Sequence, residues 1–245
     1  MRLPLPVRYR MARALAPFLR GDRYECTVCG GRFRRLLPMG GRPDALCPRC
    51  GSLERHRLLW LFLQRRTDLF TSAQRVLHVA PEYCFCRRLA RLSNLDYVSV
   101  DLALPFAMVQ ADVEELPFAD QDFDVVICSH VLDDVDDDRR AMRELHRVLR
   151  PSGWSILQSP VEEDDADTVE LSDVPPYRRG AVFDRGSVRN YGRDYFDRLR
   201  EAGFAVEEVP YADSLGRAAV ERHALTAGEK ITFCRRENYV GLTCL

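Results

Sequence analysis

Four cysteines near the N-terminus are spaced to hold a metal. In "YECTVCGGRFRRLLPMGGRPDALCPRCGSLERHR" they fall as C-x2-C, a gap of seventeen residues, and C-x2-C, which is zinc-ribbon spacing. A C-x2-C pair sits on a tight turn that aims both thiolates at one point, and Gly30 and Gly51 supply the permissive residue after each knuckle. Cys26, Cys29, Cys47 and Cys50 together close a tetrahedron with no open position for water or substrate. The spacing therefore predicts a structural Zn2+ that replaces the core about forty residues cannot build. Cys84 and Cys86 form a C-x-C pair with no histidine nearby. They read as small polarizable residues at a helix start, not as a redox or second metal site.

A second stretch raises a different chemistry. "VLHVAPEYCF", residues 76–85, starts as a buried strand and becomes a loop where nucleotide-cofactor folds place a glycine-rich turn, yet it contains no glycine. About twenty residues on, Asp101 ends the strand "DYVSVDL", the position from which an acid accepts hydrogen bonds from a ribose diol.

These residues need a scaffold. From Arg75 onward short apolar runs alternate with helical ones: "RVLHVA", "CRRLARL", "DYVSVDL", "MVQADV", "FDVVICSH", "RRAMRELHRVL" and "GWSILQSP". Such alternation predicts a parallel α/β sheet covered on both faces, with "FAVEEVPY" and "KITFCRR" as late strands close enough to pair antiparallel. Ligands in these sheets bind at the carboxyl ends of the central strands. Upstream, "SLERHRLLWLFLQRR" reads as a connecting helix with Ser52 as N-cap, Glu54 in the first turn, and an apolar face of Leu58, Leu59, Phe62 and Leu63. His56 is placed on its surface or at a domain junction, and His146 on the surface of the helix "RRAMRELHRVL". "VRYRMARALAPFL" is expected as a short amphipathic helix packed against the body. The boundaries read as a basic segment 1–66, with the ribbon at about 22–52, and a domain 67–245.

Charge separates the two parts. Residues 1–66 carry fifteen arginines and four acids, a net +11, and the remainder carries −12, so the formal net charge of −1 hides an asymmetry. A basic block of this kind binds a polyanion, docks on acidic surface or is solvated. Lys230 is the only lysine, so arginine preference is chain-wide and not itself a recognition signal. No run approaches the ~18 uncharged apolar residues of a membrane span, and no signal-peptide core is present, so the expectation is a cytoplasmic protein without membrane attachment.

"DVEELPFADQDFDVVICSHVLDDVDDDRRAMRELHRVLRPSGWSILQ" resembles the central block of class I methyltransferases that use S-adenosylmethionine, especially those described as methyltransferase type 11. "VLHVAPE", "CPRCGSLERHRLLWL" and "NYGRDYFDRLREAGF" resemble a bacterial subgroup in which a zinc ribbon precedes that domain, so the likeness runs over residues 24 to 235. The resemblance implies a Rossmann-like seven-stranded sheet in the order 3-2-1-4-5-7-6 with only strand 7 antiparallel. It places Ala80, Pro81, Glu82 and Tyr83 at the methionine part of the cofactor and Asp101 with Leu102 at the ribose. Asp112 and Val113 flank the adenine, and Ser129, His130 and Val131 line the sulfonium and substrate. The chain departs from the pattern at His78 and "APEYC", at Asp133 and Asp134 where the subgroup has "LEH", and at Ser187 where it has a histidine.

Methyl transfer from a sulfonium requires alignment and exclusion of water more than a base. If a base is used, His130 is the best-placed histidine, its alternative being a strand-end histidine satisfied by backbone. Tyr191 and Tyr195, four apart in "NYGRDYF", share a helix face and are candidates to bind the acceptor, or else pack as half-buried rings with a polar tip. The acidic run "VEEDDADTVELSDVPPYRRG" is a lid or a solvated excursion. The leading reading is a methyltransferase acting on a small molecule. One rival is an RNA methyltransferase gripping phosphates through Arg32, Arg34 and Arg35 beside Phe33; another is a non-catalytic ribbon protein on a degenerate fold.

Overall fold

The computed structural model of the protein describes residues 12–171 and 187–236, and these form two compact units. One holds the described residues up to Ala73 together with Glu82–Asn94 and Val209–Ile231; the other holds Gln74–Pro81, Leu95–Glu208 and the chain from Thr232. The units do not follow the sequential division at residues 66 and 67. The first recruits later segments because its helix needs apolar partners that the ribbon does not supply.

In the first unit, Arg20–Glu25 pairs antiparallel with Arg32–Phe33, and Leu37–Met39 with Arg42–Leu46. The second hairpin turns through Gly40 and Gly41, both at positive φ, the conformation a tight hairpin demands. Residues 12–15 are helical and continue as the 3-10 turn Ala16–Leu19; the rest of the predicted N-terminal helix lies outside the described residues. Helix α1, Glu54–Arg66, is buried from His56 to Leu63, wider than the four-residue face expected. Trp60 packs on Phe85 of helix α2, Tyr83–Leu89, and Phe62 meets Tyr211 edge-on. Helix α2 starts three residues earlier than "CRRLARL", because the Glu82 carbonyl accepts from the Phe85 and Cys86 amides and opens the helix there.

Two expectations for α1 are corrected. Its N-cap is Leu53, not Ser52, and the Leu53 amide donates to Nδ1 of His56 at 3.1 Å. His56 is therefore buried, edge-on to Phe85, and not on the helix surface.

The second unit is a seven-stranded sheet. Its strands are β1 Gln74–Val79, β2 Leu95–Asp101, β3 Val109–Gln110, β4 Phe123–Ser129, β5 Leu149–Gln158, β6 Phe204–Val209 and β7 Ile231–Arg236. The order is β3-β2-β1-β4-β5-β7-β6, with β1 to β5 parallel to one another and β7 antiparallel to β5. This is the order expected. Strand β4, "FDVVICS", is buried at six of its seven positions, as a central strand covered on both faces must be.

Helix α3, Asp138–Val148, buries Ala141, Met142, Leu145 and Val148 in the same core. Full burial of each larger side chain contributes roughly 1.5–3 kcal/mol, so packing holds this helix more than propensity does. Asp137 caps it by accepting from the Arg140 amide. His146 is half-buried, not on the surface: its ring meets Phe204 edge-on, and burial, followed by Arg236, lowers its pKa below the usual histidine value. Helix α4, Asp194–Glu201, carries Tyr195 and Leu199 into the core. The acidic run lies partly outside the described residues; its remaining part pairs Val169–Glu170 with Arg189–Asn190. No helix among the described residues is long and apolar enough to cross a membrane.

Candidate functional site

The carboxyl ends of β1, β2 and β4 open on a cleft of about 180 Å3 within the second unit. Two of these strand ends bend through the left-handed region without a glycine: Ala80 at φ 47° after β1 and His130 at φ 56° after β4. Each bend is secured by its amide. Ala80 N–H donates to the Val100 carbonyl at 2.9 Å, and His130 N–H to that of Gln158 at 2.7 Å. A left-handed non-glycine residue costs ~1–2 kcal/mol, and such strain gathers where a site over-determines the backbone. The glycine-free loop thus makes a glycine-like turn.

Ala80, Asp101, Leu102, Asp112, Val113 and Val131 line the cleft together. Asp101 Oδ1 accepts from the amides of Ala103 and Leu104, both at 2.7 Å, which fixes the loop after β2. Asp112 does the same for Glu114 at 2.9 Å. Among the described residues, every charged lining residue is acidic, since Glu114, Asp134 and Asp136 join Asp101 and Asp112.

Other expected residues lie elsewhere. Pro81 and Ser129 are buried next to the lining positions, and His130 follows Ser129 at the bend. Glu82 and Tyr83 belong to the first unit, where the Tyr83 hydroxyl accepts from Arg87 at 2.9 Å. Tyr191 and Tyr195 are fully buried 4.5 Å apart, and their hydroxyls are engaged. Tyr191 donates at 2.9 Å to the Leu132 carbonyl and lies 2.8 Å from Asp138 Oδ2; Tyr195 donates to the Leu157 carbonyl at 2.8 Å. Burial raises the pKa of both. Neither is half-buried with a polar tip, and neither stands among the cleft-lining residues.

What holds the cleft wall after β4 is a residue the sequence did not single out. Arg189, buried, donates to the carbonyls of Leu132, Val135 and Asp136 at 2.6–2.9 Å and pairs with Glu170 at 3.1 Å. Asp138 completes the wall through Tyr191 and Arg198. Two departures from the subgroup pattern meet here, since Ser187 Oγ donates to Asp133 Oδ2 at 3.2 Å. The acid run "VLDDVDDD" supplies Asp134 and Asp136 of the lining; nothing local marked Arg189.

In the first unit the four expected cysteines do converge. Their Sγ atoms all lie within 4.8 Å of one another, with Cys26–Cys50 at 3.6 Å and Cys29–Cys47 at 3.7 Å. A tetrahedron of ~2.3 Å zinc–sulfur bonds has sulfur–sulfur edges of about 3.8 Å, so the donor set fits Zn2+. The knuckles are matched: Gly30 and Gly51, at φ 65° and 76°, donate to the Cys26 and Cys47 carbonyls, while the Cys26 and Cys47 amides donate to Gly31 and Ser52. Ser52, buried, sets its hydroxyl 3.1 Å from the Cys26 sulfur. Hydrogen bonds from Cys29, Cys47 and Cys50 hold the Cys26 thiol well below its usual range, while the same ring pushes Cys50 up. Cys84 is buried, desolvation raises its pKa, and its sulfur lies 3.6 Å from Nδ1 of His56, a histidine the sequence had not placed beside it.

Arg57, fully buried, ties this unit together. It donates to the carbonyls of Ala45, Ser52, His223 and Ala224 at 2.6–3.0 Å.

The sheet order and the cleft at its carboxyl edge define a class I methyltransferase fold. Residues 84–157 match the methyltransferase domain family Methyltransf_11. The chain is 39% identical over 71 residues to the ubiquinone/menaquinone biosynthesis C-methyltransferase UbiE of Haemophilus ducreyi, a match covering 29% of this chain and 23% of that one. With the UbiE of Idiomarina loihiensis it shares 51% identity over 49 residues, 20% of each chain. The matched stretch thus spans about a fifth of the length of these relatives. An S-adenosylmethionine dependent methyltransferase from Mesorhizobium loti superposes with TM-score 0.51 at 17% identity, over 73% of this chain and 98% of that one, and shares the fold. Over residues 84–157 the chain thus carries a stretch like the Methyltransf_11 methyltransferase domain, set on a class I methyltransferase fold.

Proposed function

We propose that the protein transfers a methyl group from S-adenosylmethionine to a small-molecule acceptor, with Cys26, Cys29, Cys47 and Cys50 holding a structural Zn2+. The observation that carries the cofactor reading is the gathering of Ala80, Asp101, Asp112 and Val113 on one acidic cleft at the carboxyl edge of the sheet. Bound there, S-adenosylmethionine supplies a methyl group already activated on a cationic sulfonium. The carboxylates favour that cation, because like-signed lining charge concentrates a counter-charge in a cleft with low-dielectric walls.

The known bonds to Asp101 fall on Oδ1, leaving Oδ2 to accept from a ribose hydroxyl. Asp112 accepts from the adenine amino group and Val113 packs on the ring. The positive-φ turn at Ala80 presents backbone where a side chain would intrude. At about 180 Å3 the cleft is below the ~300–1,000 Å3 of drug-sized sites, so it would hold the nucleoside part of the cofactor, with Val131, just beyond β4, among the residues facing it. Alignment at that end, with Arg189 fixing the wall, is the chain's main contribution to the reaction. His130 is the candidate to take a proton from the acceptor. Tyr191 and Tyr195 support the wall by holding Leu132, Asp138 and Leu157.

Protein incubated with methyl-labelled cofactor and a whole-cell extract tests the acceptor class. Label is expected in the low-mass fraction and is expected to fall sharply for Asp101→Ala. Label confined to RNA or protein would contradict a small acceptor.

A further inference from the structure

The first unit carries a second, larger concavity that has no part in the cofactor cleft. It measures about 630 Å3, and Arg13, Arg49, Arg87, Arg88 and Arg91 line it with no acidic side chain among the described residues. Trp60, Phe70 and Tyr83 contribute rings to the same lining, and Arg87 lies over the Tyr83 ring at 5.7 Å. A neighbouring concavity of about 620 Å3 shares Arg13 and Arg49 and adds Arg20, Arg32 and Phe33. Its one acid, Asp22, is paired with Arg32 at 3.1 Å. The two form one track of seven arginines along a single unit.

Three features identify what fits. Guanidinium groups match phosphate oxygens in a planar, bidentate geometry, and seven along a continuous track exceed what one phosphate can use. Rings interleaved with the arginines offer π-faces to bases of any sequence. The one lining acid among the described residues, Asp22, is neutralised by Arg32, so the track offers little to reject a polyanion. We infer that this arginine track binds a single-stranded nucleic acid along its phosphodiester backbone. The site differs from the basic and aromatic cluster read from the sequence: Arg34 and Arg35, exposed on the same unit, lie outside the track. The inference does not rest on the methyl-transfer reading, because the track belongs wholly to the first unit and needs no cofactor.

The test is fluorescence anisotropy of the full zinc-loaded chain with labelled 20-nucleotide single strands, one of RNA and one of DNA, over a range of salt. Binding is expected on the order of micromolar at low salt, weakening steeply as salt rises. Arg13→Ala/Arg88→Ala/Arg91→Ala should weaken it at least about tenfold, and should reduce the slope of log affinity against log salt by about 2, from ~0.7 per phosphate contact on a single strand. Arg34→Ala/Arg35→Ala, a comparable loss of charge outside the track, should weaken it less than about threefold. If the triple variant loses zinc or melts early, Arg91→Ala alone, exposed just beyond α2, carries the test through the salt slope. Tighter binding of the ribose strand marks RNA as the source, and equal binding marks any single strand; either supports the track. Equal losses in the two charge variants, no binding at low salt, or binding of phosphatidylserine vesicles in place of both strands would overturn it.

Discussion

The two concave regions of this molecule are opposites in charge. Among the described residues, the cleft of the second unit is lined by five carboxylates and no cation, and the track of the first by seven arginines and one paired acid. The two linings suit opposite ligands, because a cationic sulfonium and a phosphodiester backbone, the ligands proposed for them, call for opposite lining charge. A chain of net charge −1 therefore holds two specialised surfaces, and the average conceals both. The units nonetheless use the same device to build them. In each, one buried arginine donates to the carbonyls of converging loops: Arg57 in the first and Arg189 in the second.

The largest effect should come from the metal. Cys47→Ser, or exhaustive chelation, removes an apparent ~10–16 kcal/mol of folding free energy of the kind structural zinc supplies. The arginine track includes Cys29 and Cys50 in its lining, so metal analysis should find a single zinc equivalent in the wild type, and its loss should abolish the oligonucleotide signal. Intact binding in metal-free protein would separate the track from the ribbon.

Next are the paired arginines. Arg57→Ala and Arg189→Ala each orphan buried carbonyls, and each should cost about 3 kcal/mol or more in urea denaturation. Their secondary effects should diverge. Arg189→Ala should also weaken cofactor binding, because Val135 and Asp136, whose carbonyls it holds, line the cleft. Arg57→Ala should leave cofactor affinity less disturbed than Arg189→Ala does. The same ranking reversed would break the assignment of one arginine to each surface.

Sequence pattern revealed some of this and not the rest, for physical reasons. The C-x2-C knuckles and their glycines are local, and the positive φ of Gly30 and Gly51 follows from a turn of four residues. The sheet order was readable through the resemblance, and β4 announced itself as a continuous apolar run. The recruitment of Glu82–Asn94 and Val209–Ile231 into the first unit was not readable, because it depends on non-local contacts, Trp60 with Phe85 for one and Arg57 with His223 for the other. Tyr191 and Tyr195 were expected on one helix face, but α4 begins at Asp194, so Tyr191 stands before the helix, and the spacing alone did not say whether they faced a ligand or a core. Only the carbonyls of Leu132 and Leu157 decide between the two. Ser52 looked like a cap because serine often is one, yet its hydroxyl faces the cysteine cluster.

A smaller effect tests the glycine-free loop. Ala80→Gly relieves the left-handed penalty but adds unfolded-state entropy, so stability should change by no more than about 1 kcal/mol, with the sign favouring glycine. Cofactor affinity should stay within about twofold if the turn already presents backbone as a glycine would. The smallest effect is that of His146. Its folded pKa is lowered, so the unfolded chain binds more protons in that range. Its contribution should be complete above its ordinary value near 6.5 and decline as pH falls from there through its folded pKa. Denaturation of His146→Phe between pH 5 and 7, a range about its ordinary pKa, should show a flatter stability profile than the wild type.

The central claim, that the acidic cleft is the cofactor site, is tested most directly by calorimetric titration of S-adenosylmethionine into zinc-loaded protein. One site per chain is predicted, weakened by about tenfold to a hundredfold in Asp101→Ala through the loss of a charge-assisted hydrogen bond of ~1.5–3 kcal/mol. The same affinity should be kept in Arg13→Ala/Arg88→Ala/Arg91→Ala. No heat of binding in the wild type, or an affinity unchanged by Asp101→Ala and lost in the arginine variant, would contradict the account.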